Sequence, residues 1–172
     1  MIKIIGVLIV IFSGICFGFR KAEKEQKRLE QGIALKRMLY LLQGEIRYGF
    51  TPLPEAICRI AQKASDEFMP FLQETARRLG TYEEESFSVV WQESLEKYLN
   101  PVILENKFLE PIQTMGETIG YLDKEMQEKT IGFAIEQLED EIFRMKDQVI
   151  KNCKMYRSLG LSCSLLIVII LV

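Results

Sequence analysis

The stretch DKEMQEKTIGFAIEQLEDEIFRMKDQV, Asp123 to Val149, decides the fold. Within it Ile131, Ile135, Leu138, Ile142, Met145 and Val149 recur in steps of four and three, a seam that a helix buries only along another long helix. Asp123 stands where an N-cap belongs, and the pattern runs on through Arg157 into an apolar end. Earlier in the chain Leu35, Met38, Leu39, Leu42 and Ile46 form the matching stripe on a first arm, Arg20 to Tyr48. The two arms are therefore expected to lie antiparallel and packed as a stalk. Packing within the chain is the reading taken, and pairing of the seam with a second protomer is the alternative.

Between the arms every apolar pattern is helical and none alternates, so the class expected is all-α, a six-helix bundle. Gly49 ends the first arm. Thr51 followed by Pro52 reads as an N-cap with proline at the first helical position, opening a second helix to about Lys63. Ser65-Asp66 opens a third, through Leu79, with Pro70 near its start. Thr81 and Glu84 have capping-box spacing for a fourth, whose core residues are Trp91 and Leu95. Asn100-Pro101 repeats the cap signal, and Pro111 is expected to break that stretch and begin a helix ending near Gly120. Cys58 reads as a buried packing residue, since no histidine exists to activate it.

Outward from the arms lie Ile4 to Phe19 and Leu159 to Val172, sixteen and fourteen residues without a charge. As helices they reach roughly 24 and 21 Å, short of a hydrocarbon core of about 30 Å but spannable with thinning or snorkelling. The expected organisation is a membrane helix at 1–19, a cytoplasmic bundle at 20–157 and a second membrane helix at 158–172. No A-x-A-like site follows the first apolar run, and Arg20-Lys21 does, which argues against a cleaved signal. Basic residues exceed acidic ones eight to four over Arg20–Arg47 and five to one over Arg144–Arg157, whereas Tyr48–Phe143 has eight basic and nineteen acidic. The positive-inside rule then puts the middle in the cytoplasm and both termini outside.

The chain has no histidine, no Walker loop, no G-x-G-x-x-G and no nucleophile elbow, so no enzyme, no metal and no cofactor is expected. The acidic middle repels nucleic acid, and no small-molecule substrate is implied. Glu83, Glu84 and Glu85, with Glu139, Asp140 and Glu141, diverge around a helix axis and cannot converge on one ion. They read as docking surfaces for a basic partner. The basic arms suit anionic lipid headgroups.

Four segments carry a family resemblance: G-F-R-K-A at Gly18–Ala22, L-L-Q-G-E-I-R-Y-G-F-T-P-L-P-E-A at Leu41–Ala56, W-Q-E-S-L at Trp91–Leu95 and M-G-E-T-I-G-Y-L-D-K-E-M-Q-E-K at Met115–Lys129. Together with the length and the apolar ends they make the chain resemble the stage III sporulation protein AB family of endospore-forming bacteria. Met115 and Tyr121-Leu122 depart from the family pattern, so the loop before Asp123 is expected to differ in shape.

The resemblance implies a membrane component of the mother cell–forespore channel, on the mother-cell side. It also implies a cytoplasmic domain like the platform proteins of type II secretion and type IV pilus machines, a secretion-type ATPase as partner, and other membrane subunits beside it. Of the family-pattern positions, Gly49, Thr51 and Pro52 read as turn and cap, Gly116 and Gly120 as close-packing or stop residues, Asp123 as a cap and Trp91 as core. Glu45, Tyr48, Glu55, Gln127 and Lys129 are positions of structure or interface. A holin-like, pore-forming homo-oligomer is the competing function, with only Ser13, Ser162 and Ser164 as polar groups in the apolar ends.

Overall fold

The computed structural model describes residues 2–49, 51–81, 86–99 and 104–171, with the backbone alone described at 2–15, 17, 157, 159–161 and 163–171. Six α-helices and no strand occur among the described residues: α1 Ile2–Arg47, α2 Leu53–Ala61, α3 Met69–Thr81, α4 Phe87–Tyr98, α5 Asn106–Thr118 and α6 Lys124–Leu171. A 3-10 turn, Ile119–Tyr121, joins α5 to the loop before α6. The all-α expectation holds. Two compact units result, residues 31–142 and residues 1–30 with 143–172. Among the described residues no helix is long and apolar enough to cross a membrane. The side chains of both apolar ends, on which the membrane expectation rests, lie almost wholly outside the described set.

In the unit 31–142 the arms of α1 and α6 run antiparallel, as the seam requires. Lys36 pairs with Glu139, Gln43 donates to the Glu128 carbonyl, and Lys124 donates to the Arg47 carbonyl. Leu35, Met38, Leu39, Leu42 and Ile46 are buried on α1, as are Ile131, Ile135 and Leu138 on α6. The stripe and this part of the seam are thus satisfied within one chain. A position not singled out from sequence sits among them: a Cβ on Gly32 would stand 2.5 Å from the Phe108 ring, so α5 approaches α1 through that glycine.

Trp91, fully buried on α4, organises the inserted helices. Phe71 of α3 meets it edge-on at 4.8 Å, Phe87 stacks on it at 5.4 Å, and its Nε1 donates to the Ile112 carbonyl of α5 at 2.9 Å. A Cβ on Gly116 would fall inside the indole, and one on Gly120 would stand 2.5 Å from Phe87 Cβ. Two aromatics four residues apart on α4 therefore lie on two glycines four residues apart, Gly116 on α5 and Gly120 in the 3-10 turn that follows it, with the two segments antiparallel. Trp91 as core and Gly116 and Gly120 as close-packing positions are what the sequence predicts.

Several cap assignments differ. Thr51 is buried with its hydroxyl lying against the Gly49 turn and without a hydrogen-bond partner, and Pro52 takes the N-cap of α2. Pro54, inside the first turn, is the proline that costs no amide bond. Ser65 begins only a turn, and α3 starts at Met69 with Pro70 in its first turn. Thr81 is the last residue of α3, its hydroxyl returned to the Arg77 carbonyl, so it is not the cap of α4. Ser86 takes that role, accepting from Val89 N.

Pro111 lies inside α5 and does not begin it; the burial of Phe108, Leu109, Pro111 and Ile112 outweighs the missing amide bond. Cys58 is exposed, because Ile57, Ile60 and Ala61 occupy the inner face of α2. Asp123 caps α6 as expected, its carboxylate accepting from Met126 N at 2.9 Å. The Asn100-Pro101 signal lies outside the described residues.

Gly116→Val is expected to lower stability by at least about 1–3 kcal/mol, the usual cost of overpacking. Gly44→Ala, where a Cβ meets nothing within 4 Å, is expected to raise it by about 0.5–1 kcal/mol. Denaturant unfolding followed by Trp91 fluorescence measures both.

Candidate functional site

The end of the bundle where α1 stops and α6 starts gathers most of the family-pattern residues. Glu45, on the last turn of α1, receives Lys63 at 3.0 Å and Arg59 at 3.4 Å, and Arg59 also reaches Glu55 at 2.8 Å. The Lys63 hydrogen bond, then the charges of Lys63 and Arg59, hold the Glu45 carboxyl below its ordinary value against the opposing effect of burial. This network ties α1 to α2 across the turn at Tyr48 and Gly49. A Cβ on Gly49 would stand 2.5 Å from the Glu45 carbonyl, which leaves glycine as the residue that fits.

Across the same end, Gln127 donates to the Ile119 carbonyl and so fastens the 3-10 turn to α6. Lys129 pairs along its own helix with Glu125 at 2.7 Å, and that hydrogen bond raises its pKa. Tyr121 is 72% exposed, and hydrogen bonds with Ser86 and then Ser88 lower its phenol pKa. Tyr48 is 75% exposed with Arg47 over its ring at 5.3 Å. Among the polar family positions it spends the least of its side chain on the fold.

A groove of about 480 Å³ runs between α4 and α5, lined by Ser88, Val89, Gln92, Glu93, Gln113 and Glu117. Gln92 donates to the Gln113 carbonyl across its floor, and Arg78 of α3 holds Glu93 at 2.6 Å. These lining residues were not identified from sequence; the available signal was the outward polar face of α4 and α5, which any solvated helix also shows.

The two acidic clusters fare differently. Glu83, Glu84 and Glu85 lie outside the described residues. Glu139 accepts from Lys36 at 3.0 Å and from Tyr40 at 3.2 Å; Lys36 first, then Tyr40, draw its carboxyl pKa down. Its carboxylate is therefore engaged with α1, whereas Asp140 is exposed and Glu141 half-buried. No group of three potential metal ligands is found among the described residues.

The model of the family described as stage III sporulation protein AB matches residues 3–172. The chain belongs to that family. It is 29% identical over 171 residues to stage III sporulation protein AB of Bacillus subtilis (strain 168), covering 99% of each chain. A solved structure of a stage III sporulation protein AB superposes with a TM-score of 0.64 at 27% identity, covering 72% of this chain and 97% of that one. Gly116 and Gly120 are thus accounted for by Trp91 and Phe87, and Glu45, Asp123 and Gln127 by bonds that close the end of the bundle.

Because the folded pKa of Glu45 is lowered, its stabilisation is fully present above the ordinary glutamate value near 4.5 and is lost as pH falls through the lowered one. Glu45→Gln should therefore lower the unfolding midpoint at pH 7 and make no difference well below that range. Thermal unfolding of both proteins across pH checks the sign.

Proposed function

We propose that this sporulation-family chain is a non-enzymatic adaptor, a platform-like membrane component of the mother cell–forespore channel that receives a cytoplasmic secretion-type ATPase. The observation that carries the reading is membership of the family over nearly the whole chain. In support, apolar runs stand at both ends of the sequence, with a basic excess inboard of each. In this reading the ends anchor the protein in the mother-cell membrane facing the forespore, both termini are outside, and the middle is cytoplasmic beside the channel's other membrane subunits.

A helical bundle suits such work. Its family-pattern polar groups are bound into its own architecture, so it offers a rigid surface with no convergent catalytic set among the described residues. The docking residues proposed are Glu83, Glu84 and Glu85, the exposed Asp140 beside Glu139 and Glu141, and the exposed ring of Tyr48. Opposite charge orients and speeds association, and an exposed aromatic supplies contact area at small entropic cost.

The full chain in nanodiscs should bind the purified ATPase of the same organism specifically. Joint reversal of Glu83, Glu84 and Glu85 to lysine should weaken affinity at least severalfold with the unfolding midpoint unchanged. Asp140→Lys is the cleaner probe of the second cluster, because Glu139 also holds α1. Tyr48→Ala should weaken binding in the same way. Unchanged affinity in all of these variants, measured by titration at physiological salt, removes these residues as the docking surface; absence of any binding removes the adaptor role.

A further inference from the structure

The unit formed by residues 1–30 and 143–172 carries a charge arrangement that the adaptor reading uses only to set topology. Between Arg20 and Glu30 and between Phe143 and Arg157 there are ten basic and four acidic residues. The arms meet through small and apolar groups: Gly18 and Ala22 are buried on α1, Val149 is buried and Cys153 half-buried on α6, and Cys153 Sγ donates to the Ala22 carbonyl at 3.5 Å. That contact sets the antiparallel register, and Lys21 lies 6.0 Å over the Tyr156 ring on the same level.

Lys21 apart, the exposed cations of the two arms lie on other sides of the two helices. Arg20, Lys24 and Lys27 follow in steps of four and three on one side of α1 and are exposed. Arg144, Lys151 and Lys154 follow in steps of seven and three on one side of α6 and are exposed as well. Of the acids, Glu25 is held by Arg28 and Glu30 by Gln26, while Glu23 and Asp147 are exposed. At 1.5 Å per residue, Arg20, Lys21 and Lys24 stand within about 8 Å of the end of the first apolar run, and Lys154 and Lys151 within about 12 Å of the second. The Debye length at physiological salt is about 8 Å, so Arg20, Lys21, Lys24 and Lys154 sense a charged surface at the ends of the apolar runs, and Lys151 does so more weakly.

We propose that the two basic faces form a collar that selects anionic phospholipid headgroups, of the phosphatidylglycerol type, over zwitterionic ones. The collar goes beyond setting topology: it gathers anionic lipid around the protein at equilibrium, through residues within about two turns of the apolar ends. It rests on the membrane-anchored reading, and the test separates the two.

The full chain is reconstituted in phosphatidylcholine bilayers containing trace spin-labelled phosphatidylglycerol or spin-labelled phosphatidylcholine. The fraction of each label immobilised beside the protein gives their relative association. The expected result is a severalfold preference for phosphatidylglycerol that falls with added salt. It should collapse toward unity in the joint variant Arg20→Gln, Lys24→Gln, Lys151→Gln, Lys154→Gln and persist when the three lysines are instead made arginine. The bundle's unfolding midpoint, read at Trp91, reports whether the variants fold. Equal immobilisation of both labels by the wild-type chain overturns the collar and leaves the anchor standing; no immobilised component with either label overturns both.

Discussion

The approach of the Trp91 indole to the backbone of Gly116 is the constraint from which the inserted helices take their places. The ring fills the space a side chain at Gly116 would need, so the indole of α4 lies directly against the backbone of α5 there. Phe87 on Gly120 repeats the approach one turn along, and the indole N–H on the Ile112 carbonyl fixes the ring's angle. A buried aromatic of this size contributes 150–250 Å² of burial as well as its polar handle. That is enough to hold Pro111 inside α5, where local preference alone would end the helix. Phe71 against the other edge of the ring brings α3 into the same core.

With that core in place, the polar groups at the end of the bundle have limited freedom. Glu45, Lys63 and Arg59 close α1 onto α2, Gln127 and Asp123 close the 3-10 turn onto α6, and Lys124 covers the last carbonyls of α1. In the proposed adaptor, docking at this end falls to what the closure leaves outside. The rings of Tyr48, in the turn after α1, and of Tyr121, at the end of the 3-10 turn, face solvent, as does the groove between α4 and α5. Firm support under a few exposed side chains is what a docking surface requires, because less order is lost on binding.

Charge divides the chain in a way that suits two different neighbours. The acidic excess belongs to residues 48–143, and the basic excess to the arms next to the apolar ends. Burying either charged set would be costly, and among the described residues Arg20, Lys24, Asp140, Lys151 and Lys154 are exposed. The small contact stripe of Gly18, Ala22, Val149 and Cys153 lets the arms pair while Arg20, Lys24, Lys151 and Lys154 stay exposed.

Sequence by itself determined the helical class, the two long arms and the core stripe, because a period of 3.6 residues sustained over many turns has one economical burial; that the arms pair within one chain was decided by the tertiary structure. It also determined the cap at Asp123, a local bond between a side chain and an amide three residues on. Tertiary structure alone decided which of several equally good local signals was used. Thr51 and Thr81 carry cap chemistry but are claimed by a buried turn and by the end of α3, while Ser86 takes the cap of α4. Cys58 lies one step round α2 from the residues that face the core, a distinction of angle that composition does not carry. Glu139 and Asp140 are neighbours of like chemistry, yet only Glu139 meets Lys36 and Tyr40, since the rotation of α6 against α1 is set by packing along the whole seam.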